Sequence, residues 1–287
     1  MFEEIGPTPR ICIDFVLNDT LRNLHKRQLA EAISSLSLDM LMKLASNVQD
    51  LDMQDVSHKI VLVSRTQEIG CAQITPITSH VESRLVRRLQ DEERNRRLRF
   101  YRDLERVPAG RALAGLIYES LAHQILEANI NLHLMPMVKL GGRTAEGKSP
   151  QWYSSHQPLE NDALEALRQG AQHQTVNIQF TPSTTREFQG NNPDLAQGFY
   201  YVPKSKNQVG FDSFIYANDG FLYIFQFTIS SNHGINHKMV GFFERNMSLP
   251  MEKWGFVFII PSGLTITCPQ SRGLGQMELF SAVVDPN

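Results

Sequence analysis

Cysteine is scarce in this chain: Cys12, Cys71 and Cys268 are the only three in 287 residues, far apart and odd in number. That argues against a disulfide framework or a cysteine-built zinc site and for a reducing compartment. Long apolar runs are also missing. No stretch approaches the roughly 18 residues of a membrane-spanning helix, and the opening "MFEEIGPTPR" lacks the apolar core of a signal peptide. An intracellular protein, cytoplasmic or nuclear, or a chain read without its leader, is the expectation. Surplus charge is absent too, with 28 basic against 30 acidic side chains and a net charge of −2. Bulk electrostatics therefore does not draw the molecule to a polyanion, and any nucleic-acid contact needs a local basic patch. There is no internal repeat and no low-complexity segment.

What is present is enough apolar residue, 41% of the chain, for a packed core. The first hundred residues read as helices. "DTLRNLHKRQLAEAISSLSLDMLMKLASNV" places Leu38, Leu41, Met42 and Ala45 at helical spacing, and "HKIVLVSR" is a short strand. Residues 79 to 105 predict one arginine-rich helix, capped by Ser79 with Glu82 three residues on. Val107-Pro108-Ala109-Gly110 ends it, and a second helix runs from Arg111 to Ala128. Beyond it strands mix with helices: "INLHLMPMVKL", a polar loop from Gly141 to Pro158, a helix in "LENDALEALRQG", strands in "TVNIQF" and "GFYYVP", a hairpin, a helix in "NHKMVGFFERNM", and strands in "WGFVFIIP" and "MELFSAVV". The expected division is a mainly helical module over residues 1–107 and an α/β domain over residues 108–287.

Three patterns carry candidate chemistry. "GRTAEGKS", Gly142 to Ser149, has phosphate-loop spacing, yet "PQWYSSHQP" follows it where a helix is needed. A coincidental surface loop is the better reading, and a nucleotide hydrolase ranks last. In the arginine-rich helix Arg94, Arg97 and Arg99 are candidates for gripping a phosphate backbone. The default reading of that helix is a solvated face whose arginines pair with interleaved acids such as Asp91, Glu92 and Asp103, and the phosphate grip is the alternative. The third pattern is the hairpin "DSFIYANDGFLYIFQFTIS". Its apolar strand, Phe221 to Ile229, carries Gln226 and Thr228 on one face. A buried amide without a partner costs roughly 2–7 kcal/mol, so something must meet that glutamine. Asp212, on the neighbouring strand with the turn between, comes within a residue or two of lying opposite. Either these groups form an oxygen-ligand cluster, or Gln226 and Thr228 bond each other or a loop. Glu119, amid the apolar Arg111–Ala128 helix, either faces the same cleft or sits on a wet face.

The order of helix with Glu119, strand, strand with Asp212, tight turn, strand with Gln226-x-Thr228, helix and strand resembles the restriction-endonuclease-like PD-(D/E)XK superfamily. More narrowly, "YVPKSKNQVGFDSFI" and "LYIFQFTISSNHGINH" resemble the C-terminal domain of Crinkler and retrotransposon-hot-spot proteins, and "EEIGPTPRICIDF" resembles the tail that follows the P-loop ATPase module in such proteins, as found in fungi. The resemblance implies a mixed sheet flanked by helices, one or two Mg2+ (or Mn2+) ions, DNA as partner, and a P-loop ATPase module in longer relatives. A homodimer is a further expectation. It implies Glu119 and Asp212 as metal ligands, with Gln226 where the second acid usually sits and Thr228 in the place of the lysine. Lys204, Lys206 or Lys238 would then replace that lysine, and His233 or His237 would shuttle protons; His233 otherwise caps the following helix. Gln226 brings one negative charge fewer than the usual site. Metal-dependent DNA hydrolysis is therefore the first expectation, and a catalytically silent binder, acting as an effector or mobile-element accessory, the second.

Overall fold

The computed structural model describes residues 18–46, 57–65, 72–128, 130–140, 151–155, 176–180, 184–189, 195–204, 210–269, 274 and 276–285. The fold is mixed α/β, helical at the N-terminal side and built around a large mixed sheet after it. The chain divides into two compact units, Met1–Ser120 and Leu121–Pro286, with the division inside a helix.

In the first unit, α1 (Asp19–Ser35) starts where the Asn18 side chain accepts from the amides of Thr20 and Leu21. α2 (Leu38–Ser46) follows at once, because the Ser37 hydroxyl takes the Met40 amide. "HKIVLVSR" divides into a one-turn helix α3 (Ser57–Ile60) and strand β1 (Val61–Arg65), which pairs antiparallel with β2 (Ala72–Pro76). The single helix expected over residues 79 to 105 is two: α4 (Ser79–Gln90) and α5 (Arg94–Glu105). Its cap is Thr78, whose hydroxyl takes the Val81 amide, rather than Ser79. The break falls at the acidic triplet Asp91-Glu92-Glu93, where Glu92 bonds Arg88 of α4 at 2.8 Å and Arg96 of α5 at 3.2 Å. One carboxylate thus ties both helices at their junction. A 3₁₀ turn, Pro108–Gly110, leads into α6 (Arg111–Glu127), the second expected helix.

The second unit holds an eight-stranded sheet in the order β6-β3-β13-β11-β10-β9-β8-β7. Its strands are β3 (Ile130–Pro136), β6 (Val176–Phe180), β7 (Thr185–Phe188), β8 (Phe199–Pro203), β9 (Ser213–Tyr216), β10 (Leu222–Phe227), β11 (Trp254–Ile260) and β13 (Glu278–Val283). β8, β9 and β10 form an antiparallel meander; β10, β11 and β13 run parallel. Helix α7 (Lys238–Asn246) carries the crossover from β10 to β11. A smaller sheet joins β4 (Val138–Leu140), β5 (Gln151–Ser155) and β12 (Thr265–Pro269). The polar loop expected from Gly141 to Pro158 is corrected here, since Gln151–Ser155 pairs with β4 and β12. The "GRTAEGKS" segment and the helix expected in "LENDALEALRQG" lie outside the described residues.

Side-chain alternation sorts the sheet into two faces. Leu222, Ile224, Trp254, Phe256, Phe258 and Ile260 pack with Met239, Phe242 and Phe243 of α7 in one apolar cluster. On the other face Phe227 meets the His123 ring edge-on at 4.5 Å between centroids. Among the described residues no helix is long and apolar enough to cross a membrane.

Candidate functional site

The hairpin that makes the site is closed by Ala217-Asn218-Asp219-Gly220. The Gly220 amide returns to the Ala217 carbonyl at 3.0 Å, and the Phe221 amide is held by the Asp219 carboxylate at 2.9 Å. Gly220 has φ +82°, a conformation that favours glycine, so the turn is fixed by sequence. The turn fixes the register, pairing Leu222 with Tyr216 and Phe225 with Ser213. One step further, Gln226 stands opposite Asp212.

The two side chains meet. Gln226 Nε2 donates to Asp212 Oδ2 at 2.6 Å, and the Phe227 amide donates to the same oxygen at 2.7 Å. The glutamine in this apolar strand therefore satisfies, and is satisfied by, an aspartate at the start of the neighbouring strand. Both residues are half-buried. Thr228 is buried, and its amide extends the pairing to β11 by donating to the Ile259 carbonyl at 3.0 Å. Its hydroxyl accepts the Ser230 amide at 3.0 Å, which turns the chain off the sheet.

That turn begins the loop to α7. The Ser230 hydroxyl donates to the Asn232 carbonyl, and the His233 amide donates to the Thr267 carbonyl of β12 at 3.0 Å. His233 is half-buried, with Nδ1 3.0 Å from the Gly234 carbonyl. Burial lowers its pKa from the ordinary histidine value, an effect the Gly234 carbonyl opposes. It does not cap α7: the residue before that helix is His237, and Asn236 takes the Lys238 amide.

Glu119 is half-buried on α6 and belongs to the first unit, whereas Asp212, Gln226, Thr228 and His233 belong to the second. Lys204 is exposed and faces Glu187 at 3.8 Å. Lys206 lies outside the described residues, and Lys238 and His237 are exposed. On α5, Arg99 is exposed, but Arg97 is only 7% exposed and so does not offer its guanidinium on a solvated face. The Arg94 side chain lies outside the described set. Arg88 and Arg96 are drawn to Glu92, as the salt-laced reading of this segment expects.

Sequence reasoning missed a second polar group on the opposite face of the sheet. His123 Nδ1 lies 2.6 Å from the Tyr200 hydroxyl, which donates to Ser213 Oγ at 2.9 Å. Tyr200 and Ser213 are fully buried. The available signal was alternation: Ser213 falls inward on a strand flanked by apolar residues, where a hydroxyl needs a partner.

Among the described residues no group of three or more His, Cys, Asp or Glu side chains is placed to hold a metal ion. The chain matches no protein-family profile, no curated protein and no solved structure.

Proposed function

We propose that the second unit is a restriction-endonuclease-like domain that hydrolyses DNA phosphodiesters with a magnesium or manganese ion bound at Asp212 and Gln226. The observation that carries this is the direct contact of the two side chains beside the C-terminal end of β10, the strand that leads through α7 into parallel β11. Ligands of open α/β sheets sit at carboxyl ends of strands where connections diverge. The element order supports the same reading: α6, the meander β8-β9-β10, α7, then β11.

The donors suit a hard cation, being a carboxylate and an amide carbonyl, with water and substrate phosphate completing the shell. The ion would polarise the phosphoryl group and activate a water. Asp212 contributes the negative charge that retains a cation. Gln226 offers its carbonyl oxygen once its amide turns away from Oδ2. His233, held toward its neutral form, is suited to accept a proton near pH 7. Thr228 shapes the loop, because its hydroxyl is engaged by Ser230, and supplies no charge.

A second reading has its own support. Asp212 Oδ2 already accepts two hydrogen bonds, a closed arrangement that stands without an ion. It favours a catalytically silent relative that binds nucleic acid or a protein partner. Manganese titration followed by electron paramagnetic resonance separates the two. Saturable binding that Asp212→Asn abolishes supports the nuclease, and equal weak binding by both proteins supports the silent binder.

A further inference from the structure

The helical unit carries a cleft that the nuclease reading does not use. It lies between α2 and α5, has a volume of about 210 Å³, and has Leu38 and Phe100 in its lining. Each of these is only 6% exposed, so they form an apolar floor. Asp39, Arg96, Arg99 and Asp103 line the same cleft and are exposed, forming a charged rim. Arg96 is committed to Glu92 at 3.2 Å. Among the described residues, Arg99, Asp39 and Asp103 have no ion-pair partner.

The uncommitted rim therefore holds one cation and two anions above an apolar floor. A ligand of matching charge has one anionic and two cationic groups joined by an aliphatic spacer. We infer that this cleft binds a free basic α-amino acid of the lysine, ornithine or arginine class. The α-carboxylate pairs with Arg99, and the two cationic groups pair with Asp39 and Asp103. The methylene stem lies along Leu38 and Phe100, as long cationic side chains lie along apolar surface. A nucleotide has the opposite charge balance. The cleft is also smaller than the roughly 300–1,000 Å³ of pockets that enclose drug-sized ligands.

Nuclear magnetic resonance titration of the full chain with L-lysine, norleucine and cadaverine tests this. Norleucine lacks the second amine and cadaverine lacks the carboxylate. Saturable lysine binding is expected, with both analogues weaker. Arg99→Ala should weaken lysine by about threefold, as for an exposed ion pair, and leave cadaverine unaffected. Asp103→Asn should weaken both amines. Absence of saturable lysine binding, equal binding of norleucine, or an Arg99→Ala titration identical to wild type would overturn the assignment. All substituted side chains are exposed, and a thermal melt of each variant confirms that it is folded.

Discussion

Replacing Gln226 with glutamate sets two carboxylates in the place of a hydrogen bond. At the present 2.6 Å, two unit charges repel by about 6 kcal/mol at an effective dielectric constant of about 20. The pair has a cheaper exit, because one carboxyl can hold a proton. At pH 7 that costs about 3.7 kcal/mol for a group with an ordinary pKa of about 4.3, and at pH 5 about 1 kcal/mol. The ordinary value is the unfolded one, and the shared site raises the folded value above it. The variant is thus least penalised at low pH, and the penalty grows as pH rises from about 4.3 toward 7. The expected loss is about 2–4 kcal/mol at pH 7 and about 1 kcal/mol or less at pH 5. A cation bound between the carboxylates relieves it, and magnesium at a hundred times its dissociation constant returns about 2.7 kcal/mol. Urea unfolding of wild type and Gln226→Glu at both pH values, with and without magnesium, measures each quantity. Equal losses at pH 5 and pH 7 would refute the facing geometry. A pH-dependent loss that magnesium does not recover would refute the metal site while leaving the geometry intact.

The buried group on the other face makes a double-mutant cycle. Tyr200→Phe removes the donor to Ser213 and the partner of the half-buried His123, at about 1–3 kcal/mol for the buried Ser213 hydroxyl and less for His123. Adding Ser213→Ala should restore part of that loss, and strictly additive losses in urea unfolding would contradict the bond. His233 has a lowered folded pKa, so its contribution is fully present above the unfolded value of about 6.5 and is lost as pH falls through the folded value. His233→Gln should flatten the stability profile over that acidic range, and an unchanged profile would count against its burial. On α5, Arg97→Ala should cost about 1–3 kcal/mol as a buried change. The exposed Arg102→Ala should leave stability unchanged and, if it loses a phosphate contact, reduce the salt slope of duplex DNA binding by about 0.9. The reverse pattern would return Arg97 to the surface.

The hairpin was legible because local chemistry fixes it. An Asn-Asp-Gly turn sets the register, and register alone brings residues fourteen positions apart (226 − 212) face to face. Helix α6 and strands β11 and β13 were legible from apolar period or run length. β5 was not: "QWYSS" follows a glycine-rich polar stretch, and only pairing with β4 and β12 makes it a strand. The break between α4 and α5 was hidden because Glu92 meets Arg88 and Arg96 at the same i,i+4 spacing that an unbroken helix has, so charge spacing carries no sign of it. Arg97 could not be placed because its burial depends on tertiary packing that charge spacing does not encode. His123 and Tyr200, 77 residues apart, are likewise joined only by the fold.

The central claim is that Asp212 and Gln226 form a metal-dependent nuclease centre. Incubating the wild-type chain with single- and double-stranded DNA, in magnesium and in manganese, tests it most directly beside Asp212→Asn. Asparagine keeps the shape at position 212 but removes the charge that retains a cation. The account predicts metal-dependent cleavage by wild type, abolished in Asp212→Asn while the variant still unfolds cooperatively and so is folded. Wild-type protein inert toward both DNAs with both metals, or Asp212→Asn cleaving as wild type does, would contradict it.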